Sequence, residues 1–166
     1  LGNVMRRKQG ERLLVFAGAT GEWRAEVAAA GKKRMTLAVV EPTRPQESVP
    51  DLWLAFAPVK KGRVDWLVEK AVELGVARLQ PVVTQRTIVD KLNLERMRPH
   101  IIEAAEQCGR AALAEIDQPV KLDAFLKGRD ASRILYFADE TGGEPASTAF
   151  QPGPTLILTG PEGGFT

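Results

Sequence analysis

Three stretches hold residues whose types and spacing suit chemistry. Gly160-Pro161-Glu162-Gly163-Gly164 places three glycines in five positions, directly after the β-prone run Leu156-Ile157-Leu158-Thr159. Missing Cβ atoms let a ligand approach the backbone, and strand ends are where open α/β sheets bind ligands. A phosphate loop would carry Lys and Ser/Thr after its glycines, whereas Glu162 repels phosphate, so hydroxyls or a positive centre suit this loop better. Taken alone, five such residues more often form an ordinary turn. Glu103, Glu106, Gln107 and Arg110 recur at i, i+3, i+4 and i+7 and read as one polar stripe of a helix. Such a stripe is either a solvated face, with a Glu106–Arg110 pair worth about 0.3–0.5 kcal/mol, or a row of acid, amide and cation aimed at the glycine loop. Glu69, Lys70 and Glu73 pose the same choice on an earlier helix. Arg86, in Gln85-Arg86-Thr87 just beyond a strand end, can hold a phosphate or an anionic base. The single histidine, His100, excludes HExxH chemistry and leaves too few ligands for a His/Cys zinc site, so no metal is expected. Neither His100 nor Cys108 has an identifiable catalytic partner.

The elements that position these residues follow from periodicity. Residues 10–41 read as a β-meander: Leu13–Phe16, then Trp23, Ala25 and Val27, then Met35, Leu37 and Val39, with glycines between the runs. Strands this short, each with one apolar face, are satisfied in a small barrel or sandwich. Three prolines within 42–50 mark a boundary, dividing the chain into 1–48 and 49–166. Beyond it, Leu52–Ala57 is an apolar run expected of a strand covered on both faces. Val64, Leu67, Val68, Ala71 and Val72 then recur at helical spacing, stopped by Gly75. Leu79–Val83 reads as a strand. Asn93 caps a helix with Leu94, Met97, Ile101, Ala105 and Cys108 on one side, which Pro99 should kink or restart. A short helix over Leu122–Leu126 and strands at Ile134–Phe137 and Thr155–Thr159 complete an α/β unit with a mainly parallel sheet.

The totals bound the class. The 166 residues are 44% hydrophobic and 27% charged, a globular balance with no apolar run long enough to span a membrane. One cysteine excludes an internal disulfide and fits a reducing cytoplasm. The net charge of +2 is unevenly spread: residues 1–47 carry nine Lys and Arg against five acids, and residues 111–166 carry four against eight. Arg6-Arg7-Lys8, Lys32-Lys33-Arg34 and Lys60-Lys61 are clusters able to follow a phosphate backbone.

Lys70-Ala-Val-Glu73-Leu74-Gly75-Val76, Glu103-Ala-Ala-Glu106-Gln107-Cys-Gly-Arg110 and Leu158-Thr-Gly160-Pro161-Glu162-Gly163-Gly164-Phe165, in this order behind a small basic β domain, resemble the ribosomal RNA small subunit methyltransferase E family. Val4-Met5-Arg6 with Gly10-Glu11 is similar to that family's opening, so the resemblance covers nearly the whole chain. It implies a PUA-like β-barrel for RNA joined to a SPOUT-type α/β domain with a trefoil knot, S-adenosylmethionine as cofactor, a cytoplasmic homodimer, and methylation of uridine N3 in small-subunit ribosomal RNA or in the assembled subunit. It further implies that Leu158, Thr159, Gly160, Pro161, Glu162, Gly163 and Gly164 hold the cofactor, that Arg86 or Arg110 stabilises an anionic uracil, and that Glu106 or Glu73 arranges the site. The family continues beyond the position of Thr166 through a loop and a helix that thread the knot. The 166 residues by themselves are therefore expected to bind the cofactor poorly or not at all. The competing readings are a non-catalytic RNA-binding module, a SPOUT methyltransferase acting at another RNA position, and a nucleotide hydrolase, the last disfavoured by the missing Lys-Ser/Thr.

Overall fold

A computed structural model describes residues 7–31, 34–87, 92–139, 141–161 and 164–165. The chain divides into two units: Leu1–Ser48 with Gly109–Ala112, and Val49–Cys108 with Leu113–Thr166.

In the first unit, β1 (Arg12–Phe16), β2 (Glu22–Ala30) and β3 (Met35–Arg44) form an antiparallel sheet in that order. The alternation works as expected in β2, where Ala25 and Val27 are fully buried. In β3 it is only half realised. Val40 is the extra residue between the Arg24–Glu41 and Ala25–Val39 pairs, and Val39 is 60% exposed on a strand paired along one side. Such bulges bend a sheet and increase its twist. Directly opposed charges lace the strands: Arg12 with Glu26 at 3.6 Å, Arg44 with Glu22 at 3.7 Å, and Arg24 with Glu41.

The second unit contains β4 (Leu52–Phe56), α1 (Lys61–Glu73), β5 (Arg78–Val83), α2 (Leu94–Cys108), β6 (Glu115–Ile116), β7 (Val120–Lys121), α3 (Leu122–Gly128), β8 (Ile134–Ala138), α4 (Ala146–Ala149) and β9 (Thr155–Thr159). Its sheet is parallel throughout, ordered β6-β5-β4-β9-β8, with β7 also paired to β5. The last strand thus lies between the first and β8, and the carboxyl ends of β4, β8 and β9 align at Phe56, Ala138 and Thr159.

Local sequence explains the helices. The apolar stripe of α1 buries Val64, Val68, Ala71 and Val72. Its end is a Schellman closure: Val76 N–H donates to Ala71 O (3.0 Å) and Gly75 N–H to Val72 O (3.1 Å), with Gly75 at φ +97°. Asn93 caps α2 through Arg96 N–H to its Oδ1 (3.0 Å), and Met97, Ile101, Ala104 and Ala105 are buried. The helix α2 runs on through Pro99 and does not restart there. Pro99 and Glu95 are both exposed, so water can satisfy the Glu95 carbonyl that the proline leaves unbonded. Cys108, expected on the buried side, is exposed. Arg110 is likewise not part of the helical stripe, because Gly109 at φ +70° turns the chain out of α2 before Arg110 is reached.

Beneath the strand ends, Ala55, Val82, Leu156 and Leu158 form a core with Trp53, Leu135, Phe125 and Phe165 against it. Burying each leucine contributes about 1.5–3 kcal/mol. In β9 only Leu156 and Leu158 are buried, while Thr155, Ile157 and Thr159 are half-buried, so the strand is covered chiefly on one face. At the amino ends of the strands, Trp53 lies between two guanidinium groups, Arg133 at 4.1 Å and Arg78 at 4.6 Å. The strands β6 and β7 and the helix α4 are too short for periodicity to reveal them.

Candidate active site at the carboxyl ends of the parallel strands

Three strand ends build a cleft of about 520 Å³ in the second unit. Arg86 comes from the turn after β5. That turn is clasped by threonines: Thr84 N–H donates to Thr87 Oγ1 (2.8 Å), the two hydroxyls share a hydrogen bond (2.9 Å), and Thr87 N–H donates to Thr84 O (3.3 Å). From β8 come Phe137 and Ala138, followed by Asp139 and Thr141; from β9 come Thr159, Gly160 and Pro161, then Gly164 and Phe165.

One wall is aromatic. The rings of Phe137 and Phe165 lie 4.8 Å apart at 56°. Phe165 also folds back over Gly160, where a Cβ would stand 2.5 Å from its Cε2 atom. Glycine at 160 therefore makes room for the protein's own phenylalanine, while its backbone stays in the lining of the cleft. The loop closes through Gly164 N–H to Pro161 O at 3.0 Å.

Asp139 brings an acid to the cleft. The backbone N–H and hydroxyl of Thr141 donate to its Oδ1 at 2.9 and 2.8 Å and hold its carboxyl below the usual carboxylate range. Arg86 is exposed in the same cleft, giving it a cation and an anion.

The remaining expected residues are placed as follows. Thr159, Gly160, Pro161 and Gly164 line the cleft with Arg86. Leu158 is 3% exposed and its side chain packs in the core below. Glu106 is exposed on α2 and is not part of the cleft lining, and Arg110 lies in the segment grouped with the first unit. Glu73 pairs with Lys70 at 2.9 Å. Lys8, Arg34 and Lys60 are exposed, and Arg7 pairs with Glu11 at 3.4 Å. Arg6, Lys32, Lys33, Glu162 and Gly163 lie outside the described residues, as does the side chain of Lys61. No group of three His, Cys, Asp or Glu able to hold a metal occurs among the described residues. Sequence reasoning missed Phe137, Asp139, Thr141 and the ring of Phe165. The signal for the first three was available, since Asp139-Glu140-Thr141 directly follows an apolar strand.

A parallel sheet with its cleft beyond the strand ends, carried with an antiparallel β unit, defines the class: the RNA methyltransferase domain family matches residues 45–166 and the RNA methyltransferase PUA domain family matches residues 1–40. The fold is that of the SPOUT methyltransferases. Ribosomal RNA small subunit methyltransferase E of Rickettsia conorii is 27% identical over 98% of this chain and 68% of its own length, and that of Synechocystis 29% over 100% and 57%. A Legionella pneumophila protein described as a methyltransferase, solved in complex with the bound cofactor SAM, is 32% identical at a TM-score of 0.87, over 99% of this chain and 71% of its own. Neisseria gonorrhoeae ribosomal RNA small subunit methyltransferase E bound to S-adenosyl methionine matches in fold at a TM-score of 0.90 and 24% identity, over 99% and 72%. The chain belongs to the ribosomal RNA small subunit methyltransferase E family, and it spans between 57% and 72% of the length of these relatives.

Proposed function

We propose that this protein methylates N3 of a uridine in small-subunit ribosomal RNA, with S-adenosylmethionine as the methyl donor, in the cleft at the ends of β5, β8 and β9. The observation that carries this reading is the convergence there of Arg86 with Thr159, Gly160 and Pro161. The cleft has the size of an ordinary small-molecule site. The Phe137–Phe165 wall suits an adenine ring, and the loop at Gly160 presents backbone groups to the rest of the cofactor.

S-adenosylmethionine supplies an electrophilic methyl group when bound. The protein's task is then to hold the uracil so that N3 attacks the methyl carbon in line with the departing sulfur, from about 3–3.5 Å. Uridine N3 is nucleophilic only once its proton has left, and the charge then spreads to the flanking carbonyl oxygens. Arg86, exposed on a turn stiffened by Thr84 and Thr87, is read as the group that stabilises that charge. Arg110 and Glu106 are assigned supporting roles outside this lining.

The RNA is read as held by the basic clusters. Lys60 precedes α1, which has no acid in its first turn and no side-chain cap, so an anion there meets the Lys60 charge and the helix dipole. On the first unit, Lys8 and Arg34 offer further cations to RNA, and the working form is read as a cytoplasmic homodimer. No helix among the described residues is long and apolar enough to cross a membrane. The test is incubation with S-adenosylmethionine and unmodified small ribosomal subunits, followed by mass spectrometry of the nucleosides. N3-methyluridine is the expected product; methylation at another atom rejects the assignment, as does the lack of any methylation by a chain extended through the family's following loop and helix.

A further inference from the structure

The end of β8 brings into the cleft a carboxylate that the proposed reaction leaves unused. Asp139 lines the same space as Arg86, Thr159 and Pro161. Both Thr141 donors converge on one of its oxygens, Oδ1, at 2.9 and 2.8 Å. This clasp fixes the direction of the carboxylate, and it leaves Oδ2 without a hydrogen-bond partner among the described residues. Like any exposed aspartate it is ionised in the neutral range, and these bonds favour the charged form further.

An ionised oxygen with unused lone pairs accepts hydrogen bonds and repels anions. A purely structural role explains only half of this arrangement. A turn in which a side-chain oxygen accepts the N–H two residues on is made equally well by asparagine, so the turn does not require the charge. Within the reading of the cleft as a methyl-donor pocket, on which this inference rests, we propose that Asp139 is a ligand-binding residue whose Oδ2 accepts hydrogen bonds from the donor groups of S-adenosylmethionine, either the ribose hydroxyls or the α-ammonium. Arg86 and Asp139 would then divide the work by charge. The guanidinium serves the anion that forms on the uracil, and the carboxylate orients the methyl donor.

The test exploits the fact that Asp139→Asn keeps an oxygen for Thr141 while replacing Oδ2 by an N–H donor. Ligand-detected NMR titration, which reads affinities down to the millimolar range, is applied to the unaltered chain, Asp139→Asn and Thr141→Val, with S-adenosylmethionine and with adenosine as probes. Asp139→Asn is expected to weaken S-adenosylmethionine by about 10- to 100-fold, the value of one charge-assisted hydrogen bond, with an unchanged melting temperature. Equal weakening of adenosine assigns the contact to the ribose. Weakening confined to S-adenosylmethionine assigns it to the α-ammonium. Thr141→Val, which removes the hydroxyl bond and keeps the backbone one, loosens the carboxylate and weakens S-adenosylmethionine less than Asp139→Asn does. If Asp139→Asn binds S-adenosylmethionine as tightly as the unaltered chain, the assignment is overturned and Asp139 is a turn residue only. Where the 166 residues alone show no binding, the same variants are titrated in a chain extended through the family's following loop and helix; a lack of binding by that unaltered chain rejects the methyl-donor reading itself, and is distinguished because it appears before any substitution.

Discussion

The ring of Phe165 lies on Gly160, so close that a Cβ at position 160 would come within 2.5 Å of it. The loop after β9 therefore doubles back on its own start, and Phe165 completes one wall of the cleft with Phe137 at 4.8 Å. Gly160→Ala is expected to push the ring away and open that wall. The cost of such overpacking is about 1–3 kcal/mol, read as a lower melting temperature. Phe165→Ala removes the ring and the clash together, so the double variant should be no less stable than Phe165→Ala alone. A further loss of stability in the double variant rules out this coupling.

Arg86 offers a kinetic test. Removing one group that stabilises developing charge typically costs about 10²–10³ in turnover, so Arg86→Ala should lower kcat by that order with little change in the KM for S-adenosylmethionine. Arg86→Lys keeps the charge but not the planar fork and should recover only part of the rate. Arg110→Ala and Glu106→Ala, whose residues do not line the cleft, should cost less. If Arg86→Ala and Arg110→Ala both keep full methyl transfer, neither arginine stabilises the uracil.

Acid should loosen the amino ends of the strands. Arg133, 8% exposed, donates to Asp51 Oδ2 at 2.9 Å and to the carbonyls of Asp51 (3.0 Å) and Thr155 (3.3 Å). The Arg133 hydrogen bond, aided by its charge and by Trp53 Nε1–H, holds the Asp51 carboxyl below its ordinary value of 3.8, while partial burial opposes the shift. A carboxyl with a depressed folded-state pKa contributes stability that is full above the unfolded value and is lost as pH falls through the folded one. Melting temperature should therefore fall on acidification below about pH 4, and Asp51→Asn should show less of this fall. Because Asp51 is half exposed, its loss at neutral pH should cost only about 1 kcal/mol.

Gly75 isolates a backbone effect. Nothing lies within 4 Å of a Cβ at this position, yet its φ is +97°. Gly75→Ala should cost about 1–2 kcal/mol from conformation alone, visible in urea unfolding as a lower midpoint at unchanged slope. A neutral result would show that the end of α1 relaxes without its Schellman closure.

What the sequence determined is local. The α1 stripe with its stop at Gly75, the Asn93 cap and the continuous runs of β4 and β9 all follow from periodicity and turn chemistry, which act over a few residues. The glycine loop was legible as a candidate site because it ends a strand. Other features lie beyond that reach. Placing β9 between β4 and β8 is a matter of long-range pairing, and only that order brings the turn at Arg86, the clasped Asp139 and the Gly160 loop to one edge. Arg110 read as the last residue of a helical stripe until Gly109 took the left-handed conformation and turned the chain away. The absence of a side chain at Gly160 also makes room for Phe165, five residues on, because the core under Leu158 and the ring of Phe137 offer that phenylalanine a surface to cover. Side-chain periodicity specifies which face of an element is buried; which elements meet, and therefore which residues share a cleft, is decided by the packing of the whole sheet.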